Sequence, residues 1–387
     1  MEFSKITKEE FKNLEDTFPL SNFYQTTNWA EVKNTTGWET HFLGIKENDK
    51  IIALCLLLSK KTFLNQKLFY APRGPLLDYT NTKLLSFFTE NIKKYIKQNH
   101  GFALKIDPMI SISTYDEHLV KTEIPNTINI YNSLKKLKYH HLGFTKGYGT
   151  DTQFRWSYCV DIKNKTIDDV MANLKTNTRG WIKRSTKYPL IVEEVNDSNI
   201  DDFKLVMNHT AIRQHHHDRS KHYYQTINNT FKERSKLLIV YLDRNKYLNE
   251  CTEDKLYSKI KAQKKSLIPL ASSVFILDKD RVNYVYGGAI KEYMSLSAQY
   301  KFQYEMLKFA TENNYSIYDF GGISGNFEDS NDPHYGIYGF KKGFKGYIVE
   351  YIGEFDLIIN NFSYKLYKIT YSTYKTLHNL LGRIKHD

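Results

Sequence analysis

Three residues of this chain recur at one separation. Tyr70, Gly74 and Tyr79 are matched by Tyr284, Gly288 and Tyr293, each 214 positions further on, and Asp107 and Asp319 fall at nearly the same shift. The elements expected around the two sets run in the same order. In the first half, His41 to Ile45 and Ile51 to Ser59 read as strands around the Asn48-Asp49 turn, after a helix starting at Trp29 with Thr27-Asn28 as its cap. A loop at Tyr70 to Pro75, a helix from about Asn81 to Gln98 ended by Asn99-His100-Gly101, and a strand at Phe102 to Ile106 complete it. In the second half, Ser273 to Leu277 and Asn283 to Tyr286 read as strands around Asp278-Lys279-Asp280. A glycine loop, a helix from about Ser297 to Glu312 and a strand at Ser316 to Phe320 follow. Two copies of one strand, loop, helix and strand unit predict an internal duplication and a mixed α/β (α+β) fold class, one domain per copy.

The composition agrees with two domains, since 387 residues at 41% hydrophobic are enough for two separate cores. A formal charge of +12 points to a polyanionic partner, although a composition rich in Lys, Asn, Ile and Tyr is also what an AT-rich genome produces. The three cysteines, Cys55, Cys159 and Cys251, lack the spacing of a metal site or a disulfide framework, which fits a reducing compartment. The charged segment Met1 to Glu10 leads into no apolar signal core, and the run Ile51 to Leu58 is too short to span a bilayer. A cytoplasmic location is the expectation.

Chemistry concentrates in Tyr338-Gly339-Phe340-Lys341-Lys342-Gly343-Phe344, which leads into the strand-like run Tyr347 to Phe355. Glycines admit close approach to the backbone, aromatics offer flat faces, and lysines supply cationic donors, in outline an anion or carbonyl site. With Tyr70 to Tyr79 and Leu104-Lys105-Ile106-Asp107-Pro108, in this order and over nearly the whole length, the chain resembles the Fem (FemABX) family of bacterial non-ribosomal peptidyltransferases. The resemblance implies two tandem domains like those of the acyl-CoA N-acyltransferases (GNAT-like), residues 1–160 and 161–357, with a C-terminal helix in 358–387 packing back on the first. For that helix, the apolar positions Leu366, Ile369, Leu377, Leu380 and Ile384 suit packing, with a basic membrane-facing helix as the alternative. Many members carry a long helical hairpin in the second domain. Residues 247–266 here are too few for one, though Lys255 to Lys265 suffices for a short helix.

The activity implied is attack by an amine of the peptidoglycan stem peptide on the ester carbonyl of an aminoacyl-tRNA, building the interpeptide bridge with Gly, Ala or Ser. The partners implied are aminoacyl-tRNA and a lipid-linked or nucleotide-linked muropeptide precursor, with peripheral membrane contact as a further option and with no metal or organic cofactor. Lys341 matches the lysine of the family's Phe-Lys-x-Gly-Phe motif and is the first candidate for stabilising the oxyanion, with Phe340 as a wall beside the carbonyl. In an extended segment Lys341 and Lys342 point to opposite sides, so only one of them lines the site. Asp107, at the end of a strand before Pro108, matches a family acid and is a candidate to orient or deprotonate the amine; a turn-forming cap is its structural alternative. Some relatives carry a tyrosine five residues before this acid, where Phe102 stands here.

Lys33 and Arg219 match family positions associated with the precursor's phosphates, and Tyr223 lies one helical turn beyond Arg219. Arg73, between two prolines, either contacts substrate or ties its loop down, and Tyr286, ending a strand, completes the candidate binding set. The run His215-His216-His217 suggests a metal, but three successive helical residues point about 100° apart and do not chelate one ion. The basic segment Lys175 to Lys187, with Trp181 inside it, fits either tRNA contact or a solvated face.

Two other functions compete. An acetyl-CoA-dependent N-acetyltransferase needs a Gln/Arg-x-x-Gly-x-Gly/Ala loop between a strand and a helix, and Gln98-Asn99-His100-Gly101-Phe102-Ala103 matches it with the context reversed. A non-catalytic tRNA- or precursor-binding or immunity protein is the third reading, and the presence of both Lys341 and Asp107 speaks against it.

Overall fold

A computed structural model describes residues 1–63, 65–147, 152–214 and 216–384. The chain divides into two compact units, Met1–Tyr115 with Val120–Trp156 and Val349–Asp387, and Asp116–Leu119 with Ser157–Ile348.

In the first unit a seven-stranded sheet runs in the order Glu2–Lys5, Glu39–Glu47, Lys50–Lys61, Lys67–Ala71, Gly101–Ile106, Phe355–Ile358, Tyr139–His141. The hairpin between its second and third strands turns at Asn48 and Asp49, both left-handed (φ 48° and 61°), the conformation that a tight two-residue turn demands. Lys67–Ala71 and Gly101–Ile106 are parallel, joined by the helix Thr82–Gln98. Asn81 caps that helix through Leu84 N, and Leu84, Leu85, Phe88, Ile92, Tyr95 and Ile96 recur at three- and four-residue spacing on its buried face. Each such fully buried large side chain stabilises the fold by about 1.5–3 kcal/mol.

The second unit repeats this plan. Its strands run Leu190–Glu194, Ser235–Asp243, Leu267–Leu277, Arg281–Ala289, Ile317–Gly322, Trp156–Asp161, with the parallel pair Arg281–Ala289 and Ile317–Gly322 joined by the helix Ala298–Glu312. In each unit an antiparallel meander leads into a helical crossover, and the strand beyond the crossover pairs with one from elsewhere in the chain: Phe355–Ile358 in the first, Trp156–Asp161 in the second. Residues 349–357 accordingly belong with the first unit instead of closing the second.

Several expectations need local correction. Tyr70 lies in a strand, Lys67–Ala71, that the loop reading of Tyr70 to Pro75 had absorbed. Gly287 and Gly288 likewise stay within the strand Arg281–Ala289, so Tyr70 and Tyr284 occupy corresponding strands just before the crossover helix. The first-half helix at Trp29 spans Thr27–Asn34, capped by Thr26 through Trp29 N. The insertion holds only the short helices Arg244–Glu250 and Tyr257–Lys261.

The final helix, Asn361–Ile384, packs against the first unit through Tyr364 and Tyr367, which join Leu68, Phe102 and Ala103. Ile369, one of the apolar positions expected to pack, is 66% exposed. Among the described residues no helix is long and apolar enough to cross a membrane.

Candidate active site

The segment Tyr338 to Phe344 is helical, contrary to its extended reading: an α-helix spans Tyr335–Lys341 and a 3₁₀ turn spans Lys342–Phe344. Tyr338, Lys341 and Phe344 recur every third residue, and all three are buried, so a single helical face is inward. Gly343 permits the tight turn against the neighbouring helix, since a Cβ there would stand 2.0 Å from Thr178 Oγ1.

Lys341 is 5% exposed and donates a hydrogen bond of 2.6 Å to Gly322 O. That carbonyl lies just past an irregularity in the pairing of Ile317–Gly322 with Trp156–Asp161, where Gly321 takes φ 74°. Burial pushes the Lys341 amine down to about 7, with Asp319 and Cys159 pulling the other way. Asp319 is already engaged. It accepts from Ser157 Oγ (2.5 Å), Gly321 N (2.8 Å) and Arg281 Nη1 (2.8 Å). The result is a desolvated ammonium held by one carbonyl, the form in which a lysine is a strong donor to a developing oxyanion. Phe340 is half-buried against Tyr300, Phe320 and Phe344, with centroids at 5.2, 6.4 and 5.5 Å.

Lys342 turns the other way. Its amine donates to Tyr335 Oη (2.9 Å), and it lines a cleft of about 690 Å³ together with Gly339, Gly343, Lys345, Tyr300 and residues 172–179 and 181. The opposite wall is the basic helix Thr176–Ser185, so the segment singled out for its charge faces the Tyr338–Phe344 segment.

In the first unit, Asp107 is buried and bonded at both oxygens: Tyr70 Oη (2.8 Å) and Gln153 N (3.0 Å) donate to one and Arg73 N (2.7 Å) to the other. Burial raises the Asp107 carboxyl and Arg73 opposes it. Arg73, itself buried and left-handed (φ 53°), donates to Phe154 O (2.5 Å) and lies over the rings of Phe154 and Tyr351. Asp107 and Arg73 thus fasten the Pro72–Pro75 loop to the segment around residue 153, which favours the loop-tying reading of Arg73. Phe102 packs under Tyr364 and Tyr367, and the phenol on Asp107 is supplied by Tyr70. Lys33 sits between two indoles, 5.9 Å from Trp29 and 5.6 Å from Trp38.

The other candidates for substrate binding do meet. Arg219 lies over the Tyr223 ring (5.5 Å), and Tyr223 Oη is 3.1 Å from Tyr286 Oη. The phenol of Tyr286, with burial opposing and Tyr223 assisting, holds the Arg219 guanidinium above its ordinary value. Asp218 fixes this corner by accepting from Tyr224 Oη (2.7 Å) and Arg219 N (2.7 Å) and pairing with Lys204. The histidine run is not helical as supposed: the helix ends at Arg213, His215 lies outside the described residues, and His216 and His217 follow in a loop. Among the described residues no group of three or more His, Cys, Asp or Glu side chains is gathered for a metal.

Sequence reasoning missed Asp319 with Arg281, and Tyr70 as the partner of Asp107. The signal for both was register. Tyr70 pairs with Lys105 across the parallel strands, which places it on the same face as Asp107 two residues on.

The FemAB family model matches residues 6–261 and 252–372. The chain is 28% identical over 428 residues to aminoacyltransferase FemA of Staphylococcus aureus strain MRSA252, covering 99% of this chain and all of that protein. Among solved structures it is similar to FemX, with TM-score 0.78 and 26% identity over 95% of this chain and 99% of that one. A tandem GNAT protein from the clavulanic acid biosynthesis pathway, at TM-score 0.55 and 7% identity over 93% of this chain, shares the fold. With the family model spanning nearly all of its length, this chain belongs to the FemAB family and is an aminoacyltransferase of tandem GNAT-like fold.

Proposed function

We propose that this enzyme moves glycine, alanine or serine from aminoacyl-tRNA to the stem-peptide amine of a peptidoglycan precursor, extending the interpeptide bridge. The observation that carries the reading is the buried Lys341 ammonium, donating to Gly322 O and flanked by Phe340. In the reaction the neutral amine attacks the ester carbonyl, a C–N bond forms, and negative charge gathers on the carbonyl oxygen, where Lys341 donates. The C–O bond to the ribose then breaks, and the proton released by the amine passes to the ribose oxygen as it leaves. Arg219, Tyr223 and Tyr286 form a corner suited to a phosphate of the precursor, the guanidinium supplying charge and the phenols hydrogen bonds. Lys33 is a second candidate for the same phosphates. Asp107 acts as a positioning residue for the Arg73 loop, because its oxygens are occupied by three donors.

The acetyl-CoA reading loses its one sequence match, since Gln98 ends a helix and Gly101 begins a strand. The junctions into the two crossover helices, residues 71–82 and 289–298, carry no such pattern.

The test is a transfer assay with tRNA charged in turn with each small amino acid, soluble and lipid-linked muropeptide acceptors, and acetyl-CoA in parallel. Label passing from one charged tRNA to one acceptor is the expected result. Acetyl-CoA consumed without such transfer would refute the assignment, and binding without turnover would favour the non-catalytic reading.

A further inference from the structure

The final helix, Asn361–Ile384, packs by its tyrosines and turns an aliphatic row outward. At about 100° per residue, Phe362, Leu366, Ile369 and Thr373 fall within about 60° of one another, and Ser363, Tyr364, Tyr367 and Tyr371 lie on the other side. The second set is the one that packs. Ser363 and Tyr364 are buried, Tyr364 and Tyr367 join Leu68, Phe102 and Ala103, and Tyr371 stacks on Tyr367 at 5.4 Å. In the first set Phe362 is 76% and Ile369 66% exposed, Leu366 is half-buried, and Thr373 returns its hydroxyl to Ile369 O at 3.0 Å. Positions 377, 380 and 384, which hold Leu, Leu and Ile, continue the same row at helical spacing. Single exposed apolar residues need no partner, but a row along one face of a 24-residue helix, about 36 Å in length, marks an interaction surface.

The charge of the helix says which kind of partner fits. Its Lys and Arg residues are Lys365, Lys368, Lys375 and Arg383, and it holds no Asp or Glu. Lys365 and Lys368 are exposed, and Lys365 stands at the margin of the row, one turn before Ile369. An apolar row with lysines beside it and no acids is the composition of a helix that lies in the interface of an anionic bilayer, its row among the acyl chains and its amines at the phosphates. A second copy docked row to row fits less well, because it sets the same cations against one another with no acid on either helix to pair them.

We propose that the outward row of the final helix is the surface by which this enzyme docks on an anionic phospholipid bilayer, lying along it, since no described helix is long and apolar enough to cross one. The proposal rests on the precursor reading above in one respect: a lipid-linked muropeptide lies in such a bilayer, so a docked enzyme meets that acceptor at the surface, ahead of a nucleotide-linked one.

The experiment is co-sedimentation of the full chain, without donor or acceptor, with vesicles of phosphatidylcholine alone and of phosphatidylcholine and phosphatidylglycerol in equal parts, beside sedimentation equilibrium of the chain without vesicles. The wild type should bind the mixed vesicles about tenfold or more tighter than phosphatidylcholine alone. Phe362→Ser with Ile369→Ser, both at exposed positions, should weaken binding to the mixed vesicles about tenfold or more. Lys365→Gln with Lys368→Gln should weaken it by roughly fivefold per charge, whereas Lys365→Arg with Lys368→Arg should bind as the wild type does. No binding of the mixed vesicles by the wild type, no loss in the serine variant, or a loss in the arginine variant as large as in the glutamine variant would overturn the surface. A dimer without vesicles that the serine variant dissociates would give the row to a second copy and overturn it too. If the vesicles are bound with the expected pattern but neither muropeptide is an acceptor in the transfer assay, the docking surface stands and the precursor assignment falls.

Discussion

Replacing Lys341 with Met should cut transfer severely and at the same time change how stability depends on pH. The amine titrates near 7 in the folded chain against 10.5 for an unperturbed lysine. Between those values the unfolded chain holds the proton and the folded chain does not, so this group makes stability rise with pH. Integrated from the alkaline side, it destabilises the wild type by about 4 kcal/mol at pH 7 and by about 2 kcal/mol at pH 9. Methionine has no proton to bind. It also removes the hydrogen bond from Lys341 to Gly322 O, a loss of about 1 kcal/mol that is independent of pH. The stability of Lys341→Met relative to wild type should therefore fall by about 2 kcal/mol between pH 7 and pH 9, whatever its sign at either pH. Urea denaturation of both proteins at the two pH values measures this difference directly, and groups common to both cancel. In the transfer assay the same variant should lose about 10²- to 10³-fold in kcat, as when an oxyanion donor is removed. A stability difference that stays constant from pH 7 to pH 9 would show that Lys341 titrates as an ordinary lysine and refute the desolvated-donor account.

Three further outcomes follow from the geometry. Arg219→Ala should raise KM for the precursor more than it lowers kcat, and the opposite split in steady-state kinetics would move Arg219 from binding to chemistry. Asp107→Asn exchanges one acceptor oxygen for a donor amide while Tyr70, Arg73 and Gln153 all still donate to that side chain, so urea denaturation should show a loss of about 2–3 kcal/mol; wild-type stability would mean that the loop is held by other contacts. Gly343→Ala should be destabilised by about 1–3 kcal/mol through its clash with Thr178 Oγ1, and Thr178→Ala should restore most of it in the double variant; simple additivity of the two losses would place the strain elsewhere.

Periodic apolar patterning and turn chemistry made the scaffold legible. The helix Thr82–Gln98 announces itself by its buried stripe and its Asn81 cap, and Asn48-Asp49 by its tolerance of positive φ. The active segment was harder for a physical reason. Its inward positions are Tyr338, Lys341 and Phe344, and a lysine in the middle breaks the hydrophobic pattern by which a buried helical face is read. The strand-like run that follows it, Tyr347 to Phe355, then suggested an extended chain. Contacts such as Tyr70 with Asp107 or Arg281 with Asp319 bridge 37 and 38 residues, and only the strand register brings them together. The corner of Arg219, Tyr223 and Tyr286 was proposed from single positions, and the structure brings its members together because the helix Lys221–Phe231 lays Tyr223 beside the strand Arg281–Ala289.

The two copies of the duplicated unit use their strand-end acids differently, and the difference bears on Lys341. In the first unit the acid, Asp107, is hydrogen-bonded by two backbone amides and a phenol, and the Arg73 charge acts on it without a side-chain hydrogen bond. In the second, Asp319 has one amide and one hydroxyl and in addition a full cation, Arg281 at 2.8 Å. Asp319 is the largest influence holding the Lys341 amine up against burial, so a cation on Asp319 weakens that support and keeps Lys341 less tightly paired. Arg281→Met removes the competing charge. The Lys341 amine should then titrate about one unit higher, and the alkaline limb of kcat/KM, which falls as Lys341 loses its proton, should move up by the same amount. A pH–rate profile of the variant tests this. If the limb stays where it is in the wild type, either Lys341 does not govern it or Asp319 does not act on Lys341, and Lys341→Met examined over the same range separates the two, since it removes the limb only if Lys341 is its source.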